Sequence, residues 1–339
     1  MNSFDSQPNN RRRTVTTALC VLSVIFVGLG CAIGSSGFEI TPATLHDPSG
    51  LQIIWDIRLP RTLGAWLAGA LLGLSGALAQ GLFRNPLADP YLLGSASGAS
   101  LGVAFIMTAF GSTLDGSSWL FKLGLSGAAF LGAILAVSLT IILSRGVQQT
   151  MRLLLAGIIV GVILGAITSL ITLMDPKIIQ TMQSFLLGTT SFMNWNSIVL
   201  MGSIWLICAS LSWFLSKALD ALSLGESTAT SLGVHLPPLR ASLIFVLALA
   251  IGAAVAQTGL IAFVGLASPH LIRSLLRVTH NWLILLSSLA GGLLLVVADL
   301  GARWLIAPEE LPVGILTAVL GGTYLLWLMY SQNVNQEAL

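Results

Sequence analysis

The sequence predicts an all-α, polytopic membrane protein of about ten transmembrane helices, on three observations. First, 55% of the 339 residues are hydrophobic and only 8% are charged, where soluble domains carry roughly 25% charged residues; the mean hydropathy is +0.91. Second, uncharged runs of about 20 residues, each long enough to cross a hydrocarbon layer ~30 Å thick, recur along the whole chain. Third, there are 35 glycines, and some recur one helical turn apart, as in Gly69-x-x-x-Gly73 and Gly157-x-x-x-Gly161-x-x-x-Gly165. That spacing lets helices approach closely in lipid, so tight packing is the reading for these glycines.

The elements follow in order. Arg11-Arg12-Arg13 precede Thr14–Ile33, an uncharged run longer than the ~7–15-residue core of a cleaved signal. It reads as a retained first span behind a cytoplasmic tail, residues 1–13. Further spans are predicted at Thr62–Phe83, Tyr91–Phe110, Leu120–Leu143, Leu153–Met174, Ile198–Leu215, Ala241–Leu260, Trp282–Leu300 and Val313–Tyr330. From Ala241 to Ile272 there is no formal charge, which is too long for one untilted span, and Pro269 and Arg273 interrupt it. A short tenth span at Ala262–Leu276 resolves this and returns the tail, residues 332–339, to the cytoplasm.

The positive-inside tendency agrees with ten spans, although dropping the tenth would not move most of the charges. The inner side receives Arg11, Arg12, Arg13, Arg84, Arg145, Arg152, Lys217, Arg240, Arg273 and Arg277, against Arg58, Arg61, Lys122, Lys177 and Arg303 outside. Trp55, Trp119, Trp195, Trp213, Trp282 and Trp304 fall near span ends, as an interfacial aromatic belt does. With no low-complexity linker, residues 14–331 read as a single membrane domain.

Several chemistries are excluded or weakened. The only lysines are Lys122, Lys177 and Lys217, and none follows a glycine, so the chain has no phosphate-cradling P-loop and is not itself an ATP-hydrolysing enzyme. Cys20, Cys31 and Cys208 lack metal-ligand spacing, and no metal or cofactor site is expected. A net charge of +2 in such a chain reports orientation, not nucleic-acid binding. Ion-coupled transporters usually carry intramembrane titratable groups; here only Asp299 and His270 qualify, which weakens that class.

Two features stand out. Arg58 and Arg61 sit on the outer side, against the positive-inside tendency, where guanidinium groups can anchor headgroups or pair with a partner's carboxylates. The second is "SLGESTATSLGVHLPPLR", Ser223 to Arg240. Gly225 and Gly233 bracket a segment of helical length, with Glu226 in its first turn and Pro237-Pro238 beyond. It reads as a short helix at the cytoplasmic face, within a loop of about residues 217–240.

The blocks "IRLPR", "GLFRNPLADPYLLGSASGASLG", "LGESTATSLGV", "GLIAFVGLASPHLIR" and "LPVGILTAVLGGTYLLWL" occur in this order over most of the chain. Together they closely resemble the permease subunits of ABC importers for ferric siderophores, haem and cobalamin. The resemblance implies a type II ABC importer permease architecture in the bacterial inner membrane, with both termini cytoplasmic. It implies a dimer, an identical second permease chain being favoured over a paralogue, two separate ABC ATP-binding subunits and a periplasmic substrate-binding protein. ATP and Mg would sit on the partner ATPase, and this chain would bind no cofactor.

By the same resemblance, Arg58, Arg61 and Arg303 would dock the binding protein, and Leu224, Gly225, Glu226, Thr230, Leu232 and Gly233 would form the ATPase coupling loop. Asn85, Leu87, Thr150 and Met151 would form the cytoplasmic gate; relatives can carry a small hydroxyl residue where this chain has Met151. The implied cargo is a bulky iron chelate, a ferric siderophore or haem, moved by alternating access. The alternatives are cobalamin within the family and, from another class, an ion-coupled secondary transporter.

Overall fold

The structure is a computed structural model that describes residues 6–34, 37–38, 48–110, 119–144 and 150–337. Helix α1 (Ser6–Ala32) leads into a two-residue antiparallel bridge, β1 (Ile33–Gly34) with β2 (Gly37–Phe38). Helix α2 (Pro48–Ile53) runs through a π turn, Ile54–Arg58, directly into α3 (Leu59–Phe83). A 3₁₀ turn, Pro90–Leu93, precedes α4 (Ser95–Phe110), α5 (Trp119–Leu143) and α6 (Thr150–Met174). Then come α7 (Ile179–Leu187), α8 (Trp195–Ser223), α9 (Glu226–Ser231), α10 (Leu236–Thr258), α11 (Val264–Leu275), α12 (His280–Trp304) and α13 (Val313–Glu337).

Helix α3 is the axis of the bundle, buried without interruption from Leu67 to Phe83. Its glycines make this possible. A methyl group on Gly69 would lie 2.2 Å from the carbonyl oxygen of Gly291, one on Gly73 2.2 Å from that of Ser287, and one on Gly76 1.7 Å from that of Gly265. All are far inside van der Waals contact, so α3 lies backbone to backbone against α12 and α11. The α4–α5 pair uses the same device, with Gly98 and Gly132 each facing the other's carbonyl.

Side-chain contacts group the helix ends into two faces. At one, Arg12 lies 4.2 Å over the ring of Trp282, Trp282 meets Trp213 edge-on, and Asp220 accepts from the backbone N–H of His280 at 2.9 Å. At the other, Trp195 Nε1 donates to the carbonyl of Trp55, and the residues around Arg61 gather. We call these the Glu226 face and the Arg61 face. Among the described residues ten elements, α1, α3–α6, α8 and α10–α13, make up the length of the bundle, with Arg12 near the start of α1 at the Glu226 face.

These ten elements match the ten expected spans, with differences. Among the described residues seven helices are long and apolar enough to cross a membrane, α3 counted together with α2. Helix α11 has only 12 residues, about 18 Å at 1.5 Å per residue, with Pro269 inside it, so the non-helical Gly259–Phe263 segment completes its path. Helices α2 and α7 were not expected; each is too short to give a span signal. The loop expected at about residues 217–240 is narrower. Lys217–Ser223 are the last turns of α8, and Arg240 is already inside α10.

Helix α7 closes the Arg61 face. Leu260 N–H donates to the Phe185 carbonyl at 2.9 Å and Thr189 N–H to that of Thr258 at 2.8 Å. A methyl group on Gly314 would meet the Leu187 carbonyl at 2.1 Å. The ends of α7 and α10 and the start of α13 thus share one backbone junction.

Candidate functional site

At the Arg61 face the structure builds a knot of four charges. Arg61 Nη1 donates to both oxygens of Glu310 at 2.9 Å and Nη2 to Asp299 Oδ1 at 3.2 Å. Arg303, one turn beyond Asp299 on α12, donates to Asp299 Oδ2, to Thr62 Oγ1 at 3.3 Å and to the Gly30 carbonyl at 3.1 Å. Thr190 Oγ1 also donates to Asp299, and Ser191 Oγ to Glu310 at 3.2 Å. Asp299 is 0% exposed. A buried charge survives only when paired and hydrogen-bonded, and two cations here face two anions. The knot ties α1, α3, α12 and the loops after α7 and α12 into one unit.

The three arginines expected to dock a binding protein differ in their access to the surface. Arg303 has a side chain only 2% exposed, and its guanidinium is spent inside the chain, so it holds Asp299 in place and offers no surface to a partner in this conformation. Arg61 lies at the rim with Glu310 over it. Arg58 is half-buried, with Nη1 donating to the Cys31 carbonyl at 3.3 Å. Of the knot, Asp299 was legible as an intramembrane acid; Glu310, Thr190 and Ser191 gave no sequence signal, because their partners lie over 100 residues away.

At the Glu226 face, α9 stands between two glycines with positive φ, Gly225 at 119° and Gly233 at 82°, a region that side-chain-bearing residues rarely adopt. Ala229 is the buried anchor. Thr230 Oγ1 turns back to the carbonyls of Glu226 and Ser227, both at 2.8 Å, and Val234 N–H closes the C-terminal end on the Ala229 carbonyl at 3.0 Å. Leu224 and Leu232 flank the helix and are 67% and 63% exposed. They are large apolar side chains left bare on either side of a polar helix. Between α9 and the start of α10, Thr230, Gly233, Val234, Pro237 and Arg240 line an open hollow.

The expected gate residues lie at this same face. Asn85 Oδ1 accepts from Leu87 N–H at 2.9 Å, fixing the turn after α3, and Leu87 is exposed. Met151 is exposed at the start of α6, where Thr150 is the first helical residue and its side chain lies outside the described residues. Among the described residues no hydrogen bond joins the two segments. Asp89, which caps the 3₁₀ turn by accepting from Tyr91 N–H at 2.7 Å, has its carboxyl pushed above the usual carboxylate range by burial, against the pull of that N–H. Among the described residues no group of three or more His, Cys, Asp or Glu could hold a metal.

The helical bundle thus carries an exposed, leucine-flanked short helix at one face and a closed charge knot at the other. The chain belongs to the FecCD transport family, whose description matches residues 16–331. It is 37% identical over 319 residues to the hemin transport system permease protein of Yersinia pestis, covering 92% of this chain and 94% of that one. It is 32% identical to the vitamin B12 import system permease protein of Escherichia coli, covering 94% and 96%, and 33% identical to an iron(3+)-hydroxamate import system permease protein of Bacillus subtilis, covering 91% and 80%. The fold aligns with a solved metal-chelate type ABC transporter in an inward-facing conformation at a TM-score of 0.84 and 31% identity, over 94% of this chain and 99% of that one. The chain is thus a multi-pass permease subunit whose ATPase is a separate partner.

Proposed function

We propose that this permease moves a bulky iron chelate, haem or a ferric siderophore, across the bacterial inner membrane by alternating access. The observation that carries the reading is the exposure of Leu224 and Leu232 beside α9, at the end of a charge-poor bundle; in this reading an ATPase cleft takes them. The Glu226 face and both termini are then cytoplasmic, and the Arg61 face is periplasmic. Two ATPase subunits hold ATP and Mg below a dimer of identical permease chains, and a periplasmic binding protein docks above on Arg58 and Arg61. ATP binding and the loaded binding protein can shift the permease only through unequal affinities for its two states. The gate at Asn85, Leu87, Thr150 and Met151 opens or seals the cytoplasmic end.

The higher identity to the hemin permease, 37% against 32% and 33%, favours haem first and leaves cobalamin as the alternative within the family. Ion-coupled transport is disfavoured because Asp299, an acid within a span, is closed off by two arginines. The test is uptake of labelled haemin, a ferric hydroxamate and cobalamin by cells lacking the chain, beside the parent strain. Loss of haemin or hydroxamate uptake alone is the expected result. Loss of cobalamin uptake alone would move the assignment to the alternative, and transport that stops with the proton gradient while ATP holds would overturn the ABC reading. Leu232→Asp should lower the ATPase subunit co-purifying with the permease at least tenfold.

A further inference from the structure

The coupling helix is joined to the rest of the chain by backbone that bends easily. Gly225 precedes it and Gly233 follows it, both at positive φ, so a push on α9 could be absorbed at either glycine. Besides the packing of Ala229, a charged side-chain link bypasses the second hinge. Arg240 Nη2 donates to Glu226 Oε1 at 2.5 Å. Arg240 sits one turn inside α10 with its side chain 2% exposed, while Glu226 is half-exposed on α9. The cation is therefore part of the body of the bundle, and the carboxylate belongs to the moving piece.

From this geometry we infer that Arg240 is a positioning residue for energy coupling: the Glu226–Arg240 pair is a strut that carries displacement of α9 into α10. The consequence follows from what α10 touches. It packs along α3, α5 and α8 and is buried for most of its length, so a shift at its first turn reaches the axis of the bundle. The contact is a short, charge-assisted hydrogen bond of the stronger kind, so the pair stays closed as α9 moves and the glycines take up the bending. Glu226 then acts inward, on its own chain, and the grip on the ATPase is left to Leu224 and Leu232. Arg240 bears on no ATPase surface.

This inference rests on the coupling reading above, and its test separates the two. The intact complex of permease and ATPase subunits in nanodiscs is subjected to hydrogen–deuterium exchange with and without ATP and vanadate. In the wild type, trapping should alter exchange at α9 and at the first two turns of α10, residues 236–243. In Glu226→Gln and Arg240→Lys, the ATPase should stay bound and the α9 response should persist, while the α10 response falls at least threefold. The charge-swapped double variant, Glu226→Arg with Arg240→Glu, should recover it. An unchanged α10 response in the single variants, or a double variant no better than they are, would overturn the strut. Release of the ATPase by Glu226→Gln would overturn it too, by making Glu226 a docking contact and leaving the coupling reading intact. A wild type with no response at α9 would sink both.

Discussion

Helices α3 and α6 have 25 residues each, a glycine every turn over part of their length and almost no charge. Yet the most apolar stretch containing α3 is 89% buried within the chain, and that of α6 only 22%. The glycines differ in the same sense. Gly69, Gly73 and Gly76 each face a neighbouring carbonyl closer than any methyl group could stand, whereas on α6 only Gly157 does, against Leu92 at 2.1 Å; around Gly161 and Gly165 the nearest atoms are 3.7 Å and 3.9 Å away. A small-residue repeat therefore permits close approach without stating that the chain itself makes it.

That contrast can be broken or sharpened by substitution. Gly76→Leu should have the largest effect, because the side chain would overlap the Gly265 carbonyl and no rotamer relieves a backbone clash. The cost should exceed the ~1–3 kcal/mol usual for overpacking, and the monodisperse peak in detergent size-exclusion should disappear. Asp299→Asn, which strips the shared carboxylate from the two arginines that fasten α3 and α12, should cost about 3–5 kcal/mol and show as a lower thermal midpoint. Gly157→Val should cost about 1–3 kcal/mol on α6, measured the same way. Gly161→Ala should change the midpoint least, with a gain of up to about 1 kcal/mol from helix propensity. A Gly161→Ala loss as large as that of Gly157→Val would erase the distinction drawn between the two rows.

How much of this was legible varies along the chain. Span positions were, because a charge-free run of twenty residues has one physical meaning in a chain of this composition. Helix α9 was legible from Gly225, Glu226 and Gly233, since capping is local. Helix α7 was not, because nine residues from Ile179 carry no turn-scale signal that separates a helix from a loop. Which of two glycine rows is buried could not be read, since the answer lies in Gly265, Ser287 and Gly291, far along the sequence. The burial of Arg303 could not be read for the same reason: an arginine at a span end looks exposed until Thr62 and the Gly30 carbonyl are brought against it.

The Arg61–Asp299 pairing also bears on how the protein is made. Arg61 is synthesised 238 residues before its carboxylate, and Glu310 follows later still. Throughout that interval the cation at the start of the most deeply buried of the long apolar helices lacks the two carboxylates that pair with it in the finished fold. The native pairing of Arg61 therefore closes only once α12 and the loop after it have been made, so the helix at the centre of the finished bundle is fastened at this end late.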